Sequence, residues 1–184
     1  MKSAAQINSE FQKQISIWKN GLDQYSEEQF SRKPSDEQWS IGQLYYHLAF
    51  GTQNFHLKMI ELCLDQKNVV WEKPKNIKGK ISFLIGGFPP VKIKVPPSEQ
   101  YTPKQSSIGE IKSAFEQLSE KMTVLCTAVE NSNPKIKVEH PGFSYLNAKE
   151  WYQLIEMHFR HHQRQKKELD QFLNSGVSNN VKAA

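Results

Sequence analysis

The sequence predicts an all-α fold, a four-helix bundle with a long crossover between its second and third helices. Three observations carry this. Apolar residues recur at helical spacing along four long stretches. Three of those stretches open on residue pairs with capping-box spacing. The one long break in the rhythm, residues 67–106, is rich in proline and glycine. Four amphipathic helices with one long connection make a bundle of this kind. No internal repeat or second domain is evident, so residues 1–174 read as a single domain and residues 175–184 as a flexible tail.

Composition fits this. A chain of 184 residues with 38% hydrophobic and 11% aromatic content can bury a core without disulfides or a structural metal. Cys63 and Cys126 both sit in helical apolar patterns and read as small core residues, not as a disulfide framework. No stretch reaches the roughly 20 apolar residues of a membrane-spanning helix. The N-terminal residues lack an apolar signal core. The expectation is a cytoplasmic protein with no membrane partner. The net charge is +5, but basic residues are largely interleaved with acidic ones, apart from Arg160, Arg164, Lys166 and Lys167. Those four complement a helix dipole as a solvated face, and no nucleic-acid partner is expected.

The first helix, residues 3–25, carries Ile7, Phe11, Ile15, Trp18, Leu22 and Tyr25 as a one-sided stripe. Residues 26–39 form a connection in which Phe30 and Trp39 tuck against the core. The second helix, residues 40–65, opens on Ser40 and Gln43 as a capping box, with Trp39 and Leu44 as a hydrophobic staple. Its stripe is Ile41, Leu44, Leu48, Phe55, Met59 and Leu62. His47 lies roughly a sixth of a turn from Leu44, at the edge of that stripe, and Gly51 leaves room beside it.

The crossover at 67–106 contains Pro74, Pro89, Pro90, Pro96, Pro97 and Pro103, and is expected to pack on the bundle through Phe83, Leu84, Ile85 and Phe88. Gly86-Gly87 is not a phosphate loop, because no Gly-Lys-Ser/Thr follows. The third helix, residues 107–130, starts with Ser107 and Glu110 in capping-box spacing and runs an unbroken seam from Ile108 to Val129. A short polar connection with Pro134, Pro141 and Gly142 leads to Asn147, which with Glu150 caps the fourth helix, residues 147–174.

The chemistry concentrates in that last helix. Its apolar seam steps through Trp151 and Ile155 and resumes at Leu169 and Phe172. Between them the same rhythm lands on His158, His162 and Gln165. His158 and His162 stand four residues apart, hence on one face. Imidazoles on a buried seam are costly unless bonded, and a metal ion can bond two at once if another element supplies a third ligand. A lone histidine such as His47 is more often a structural residue than a ligand. His161 points about 100 degrees away from His162, towards solvent. His56 and His140 have no helical partner at ligand spacing and read as surface residues.

Two runs resemble a known family. Trp39-Ser-Ile-Gly-Gln-Leu-Tyr-Tyr-His47-Leu48 and Trp151-Tyr-Gln-Leu-Ile-Glu-Met-His158-Phe-Arg-His-His162 look like the paired motifs of the DinB/YfiT-like metalloenzyme superfamily. The resemblance covers almost the whole chain. It implies a four-helix bundle holding a divalent metal, nickel or zinc foremost, on His47, His158 and His162. It also implies dimeric relatives and chemistry such as bacillithiol-dependent S-transfer or mycothiol-dependent isomerisation.

Three neutral imidazoles leave coordination positions open, as catalytic metal sites do. Gln43, Gln165 and Glu156 are candidates to orient the ligands or serve as base. The first functional reading is a metal-dependent transferase or hydrolase acting on a small electrophilic substrate, with a low-molecular-weight thiol as a further cofactor. The second is a non-catalytic metal- or ligand-binding bundle with a stress-response or accessory role. An exposed helix edge leaves room for a homodimer.

Overall fold

The computed structural model describes residues 2–88 and 102–180. Four long helices form the bundle: α1 (Ala4–Leu22), a second helix built in three parts, α6 (Ile108–Glu130) and α7 (Ala148–Asn180). The parts of the second helix are α3 (Ile41–Tyr46), a π-helical segment (His47–Leu57) and α4 (Lys58–Asp65). Two short helices lie in the connections, α2 (Glu27–Ser31) and α5 (Ile77–Ile85).

The capping boxes form as the residue types require. Ser40, Ser107 and Asn147 each accept from the amide three residues on, and Gln43, Glu110 and Glu150 reach back to the cap amide. The α1 stripe, Ile7 through Leu22, is buried against α6 and α7. At the centre Trp18 donates its Nε1–H to the Phe159 carbonyl at 3.2 Å, and Tyr45 donates to the Trp18 carbonyl at 3.1 Å. Phe30 is buried and Trp39 packs half-buried on the same core. Cys63 and Cys126 are unpaired, and burial pushes the Cys63 thiol up to about 12, which leaves it inert.

Four features depart from expectation. The polar connection before α7 is a hairpin of β2 (Ile136–His140) and β3 (Ser144–Leu146), and β1 (Val70–Trp71) adds to its free edge. All pairings are antiparallel, with Val138 opposite Leu146 and Trp71 opposite Ile136. Alternate residues Ile136 and Val138 are buried, so this small sheet closes one side of the bundle.

Second, the crossover contains α5, which turns outward two of the four residues expected to pack. Leu84 is 86% and Ile85 60% exposed, while Gly79 and Ser82 are buried and Phe83 and Phe88 lie half-buried on the core. Close approach to the hairpin dictates this choice: a Cβ on Gly79 would lie 3.1 Å from the Phe143 Cβ. Lys75, just before α5, pairs with the buried Glu150 and pins the crossover to the start of α7. Pro89, Pro90, Pro96 and Pro97 lie outside the described residues.

Third, the stripe of the second helix shifts after its midpoint. Phe55 is 37% exposed and Met59 and Leu62 are only half-buried, whereas Leu57, Ile60 and Cys63 are buried. The π-helical segment is the cause, because i→i+5 bonding carries more residues per turn than an α-helix. The residue types in the segment give no account of why it is π-helical. Finally, α7 continues past Asn174 to Asn180, since Gly176 alone is a weak helix breaker and no proline follows.

Candidate metal centre

His47 is the first residue of the π-helical segment, and His158 and His162 lie one turn apart on α7. The packing of these two helices brings one nitrogen of each ring within 4.8 Å of the others. His158 Nε2 is central, 2.9 Å from His47 Nε2 and 3.0 Å from His162 Nε2. The rings meet edge to face, at interplanar angles of 75–80° and centroid distances of 4.6–5.0 Å. Trp39 flanks the outer side of His47, with ring centroids 5.2 Å apart. A Cβ on Gly51 would stand 3.6 Å from His47 Nδ1, an ordinary contact, so glycine is not required there.

Burial keeps all three imidazoles neutral. It pushes His47 down to about 4 and His162 to about 3, the latter also lowered by His47 and His161. His158 falls well below the ordinary histidine range, chiefly through burial and then through the neighbouring histidines. A neutral Nε2 offers either one in-plane proton or one in-plane lone pair. His158 Nε2 therefore cannot satisfy two nitrogens at hydrogen-bond distance, whereas one cation can accept lone pairs from all three. Gln165 sets up this state at His162: Nδ1–H donates to Gln165 Oε1 at 3.0 Å, which leaves Nε2 bare. The residues present thus fit a divalent metal, with a donor set suited to zinc, nickel, copper or iron. Among the described residues no carboxylate joins the cluster.

The other residues singled out from the sequence sort clearly. His161 is exposed, against the edge of Phe88. Gln43 is occupied by its capping box and by the Pro103 carbonyl, to which it donates at 2.8 Å. Glu156 faces away from the cluster and is held by Arg160, which also reaches the Gly86 carbonyl. Those two residues line an open cleft of about 790 Å³ on the opposite face of α7, which none of the three histidines touches. Arg164 and Lys166 pair with Glu168 and Asp170 one turn on.

His56 is not a surface residue, and His140 is half-buried. His56 is only 9% exposed, and its ring centroid lies 5.1 Å from that of His158. Along an α-helix nine residues would turn about 900°, which places His56 half a turn from His47. The wider π turns bring it close to two full turns on, and so onto the inner face. His140 stacks on Phe143 at the edge of the sheet, 5.0 Å from Trp151 between ring centroids, and its Nδ1 accepts from the Gly142 and Phe143 amides.

The sequence profile of the DinB superfamily matches residues 11–165, a span that runs from α1 through all three cluster histidines. The chain belongs to the DinB superfamily. No curated protein matches it closely enough to add a more specific activity. Its bundle is the helical fold of the DinB superfamily, and its three-histidine cluster could hold the metal with which DinB proteins are associated. No helix among the described residues of this DinB protein is long and apolar enough to cross a membrane.

Proposed function

We propose that this DinB protein is a divalent-metal-dependent enzyme, with His47, His158 and His162 as the ligands and zinc or nickel as the metal. The observation that carries the reading is the convergence of three neutral Nε2 atoms around His158, two of the separations being 2.9 and 3.0 Å. A metal held there supplies Lewis-acid chemistry, lowering the pKa of a bound water or thiol and polarising an electrophile. Three protein ligands leave positions for such a group.

The reaction class favoured is transfer of a low-molecular-weight thiol, or of water, to a small electrophilic substrate. The chain's own contribution is positional. Gln165 holds the His162 tautomer, Trp39 walls one side of His47, and the buried aromatic core fixes α7 against α6.

The test is metal content by mass spectrometry on untagged protein, wild type beside His158→Ala/His162→Ala, followed by thiol-transfer assays on model electrophiles. Near-stoichiometric metal in the wild type and none in the double variant is expected. No metal in the wild type after incubation with zinc or nickel would refute the reading.

A further inference from the structure

Behind the metal cluster, away from solvent, lies a group of polar atoms without partners. Among the described residues, Thr52 Oγ1, His56 Nδ1, Trp151 Nε1 and His158 Nδ1 are all buried and hydrogen-bonded to nothing. The three rings belong to one neighbourhood. The His56 ring centroid is 5.1 Å from that of His158 and 6.0 Å from that of Trp151. Thr52 sits one turn before His56 on the inner face of the π-helical segment and is 0% exposed. Interiors seldom leave even one such group unmet, so four together require an explanation.

Their donor and acceptor capacities are complementary. With its Nε2 turned to the cluster, His158 carries its ring proton on Nδ1 and must donate there. Trp151 Nε1 can only donate. Thr52 Oγ1 can accept, and so can His56 Nδ1 in the tautomer protonated at Nε2. Two obligate donors and two available acceptors match the four bonds of one water molecule, which accepts twice and donates twice. Buried waters usually sit where two to four polar partners converge in this way.

We propose that Thr52, His56 and Trp151 enclose an ordered internal water that bonds His158 Nδ1–H, making His56 a positioning residue for the metal ligand His158. The protonation of His158 at Nδ1, and with it the role of the water in metal binding, rests on the reading of His158 as a ligand; without a metal the water donates to Nδ1 and accepts from Thr52 Oγ1–H instead, so the site itself does not. Bound in this way, the water fixes the His158 tautomer as Gln165 fixes that of His162. The π-helical segment is what makes the site, since α-helical phase would place both Thr52 and His56 away from His158.

Two measurements test it. A crystal structure of the metal-free protein, at a resolution that shows ordered solvent, should place a water within hydrogen-bond distance of at least three of the four atoms. A dry contact there would overturn the proposal, whatever the fate of the metal reading. The second is zinc affinity, by competition with a chromophoric chelator, for wild type, Thr52→Val, His56→Leu and His56→Asn. Thr52→Val and His56→Leu remove a polar partner at nearly constant volume and should weaken zinc about 10- to 100-fold. His56→Asn keeps a polar atom near the Nδ1 position and should recover most of that loss. Equal affinity in all four proteins, or equal loss in His56→Leu and His56→Asn, would overturn the positioning role. Circular dichroism of each variant separates loss of affinity from loss of fold. A wild type that binds no zinc would end the ligand role while the crystallographic arm still decides the water.

Discussion

Acidification should unfold the metal-free protein well before its carboxylates titrate. Five histidines are held neutral by burial: His158 lies well below the ordinary range, and the other four are pushed down to about 4 for His47 and His140 and about 3 for His56 and His162. In the unfolded chain each returns to about 6.5. A lowered folded pKa means that the unfolded state binds protons first, so stability is full above about 6.5 and is lost as pH falls towards the folded values. Between pH 7 and pH 5 the unfolded chain gains nearly one proton per histidine while the folded protein gains almost none. Each group then removes about 2 kcal/mol. His47, His56, His140 and His162 alone remove roughly 7 kcal/mol, which is comparable to the whole stability of an ordinary domain. The window also lies above the range in which carboxylates change charge, so they do not obscure it. The assay is urea unfolding followed by circular dichroism, with a chelator present, at half-unit steps from pH 7.5 to pH 5. A loss smaller than one histidine contributes would refute the assignment of these rings as buried and neutral. Replacing His56 by leucine should flatten the slope by up to one proton.

Two substitutions probe other parts of the argument. Gln165→Leu takes away the acceptor that holds His162 Nδ1–H and should weaken zinc binding about 10- to 100-fold, read by calorimetric titration; unchanged affinity would show that the hydrogen bond does not orient the ligand. Gly42→Ala, inside the first family motif, would set a Cβ 2.6 Å from the Phe30 carbonyl oxygen. Overpacking of that kind costs about 1–3 kcal/mol, more than the roughly 1 kcal/mol that alanine gains over glycine in a helix. A lower urea midpoint is expected, and a midpoint at or above wild type would contradict the packing.

Much of the fold and the site can be read from residue order because both depend on short-range spacing. The i, i+4 pair His158 and His162 shares a face on any regular helix, and Ser40, Ser107 and Asn147 mark their helix starts by local hydrogen bonding alone. Its place beside Leu44 put His47 at the edge of the stripe, and only the resemblance of the Trp39–Leu48 run to the family motif marked it as a ligand. What escaped depends on tertiary context or on departures from α geometry. His56, Thr52 and the shift from Met59 and Leu62 to Ile60 and Cys63 all follow from the π-helical segment. The outward face of α5 follows from the tight approach of Gly79 to Phe143, a contact 64 residues apart in the chain. The hairpin did leave a signal. Ile136-Lys-Val138-Glu-His140 alternates with period two between Pro134 and Pro141-Gly142, and five residues of alternation are easily outweighed by the long helices on either side.

The π-helical segment also bears on how this chain should be compared with its relatives. From His47 to Ile60 the second helix contains about two residues more than α-helical geometry needs to join the same two faces. A relative with about two residues fewer in that stretch can present the same inward positions on an uninterrupted α-helix. Gaps between such chains belong inside the helix, between residues 48 and 57, and not in the loops where length differences are usually placed. Aligning the two without that gap pairs His56 with an outward position and Ile60 with a half-exposed one. The extra residues would then pass for a change of sequence when they are a change of pitch.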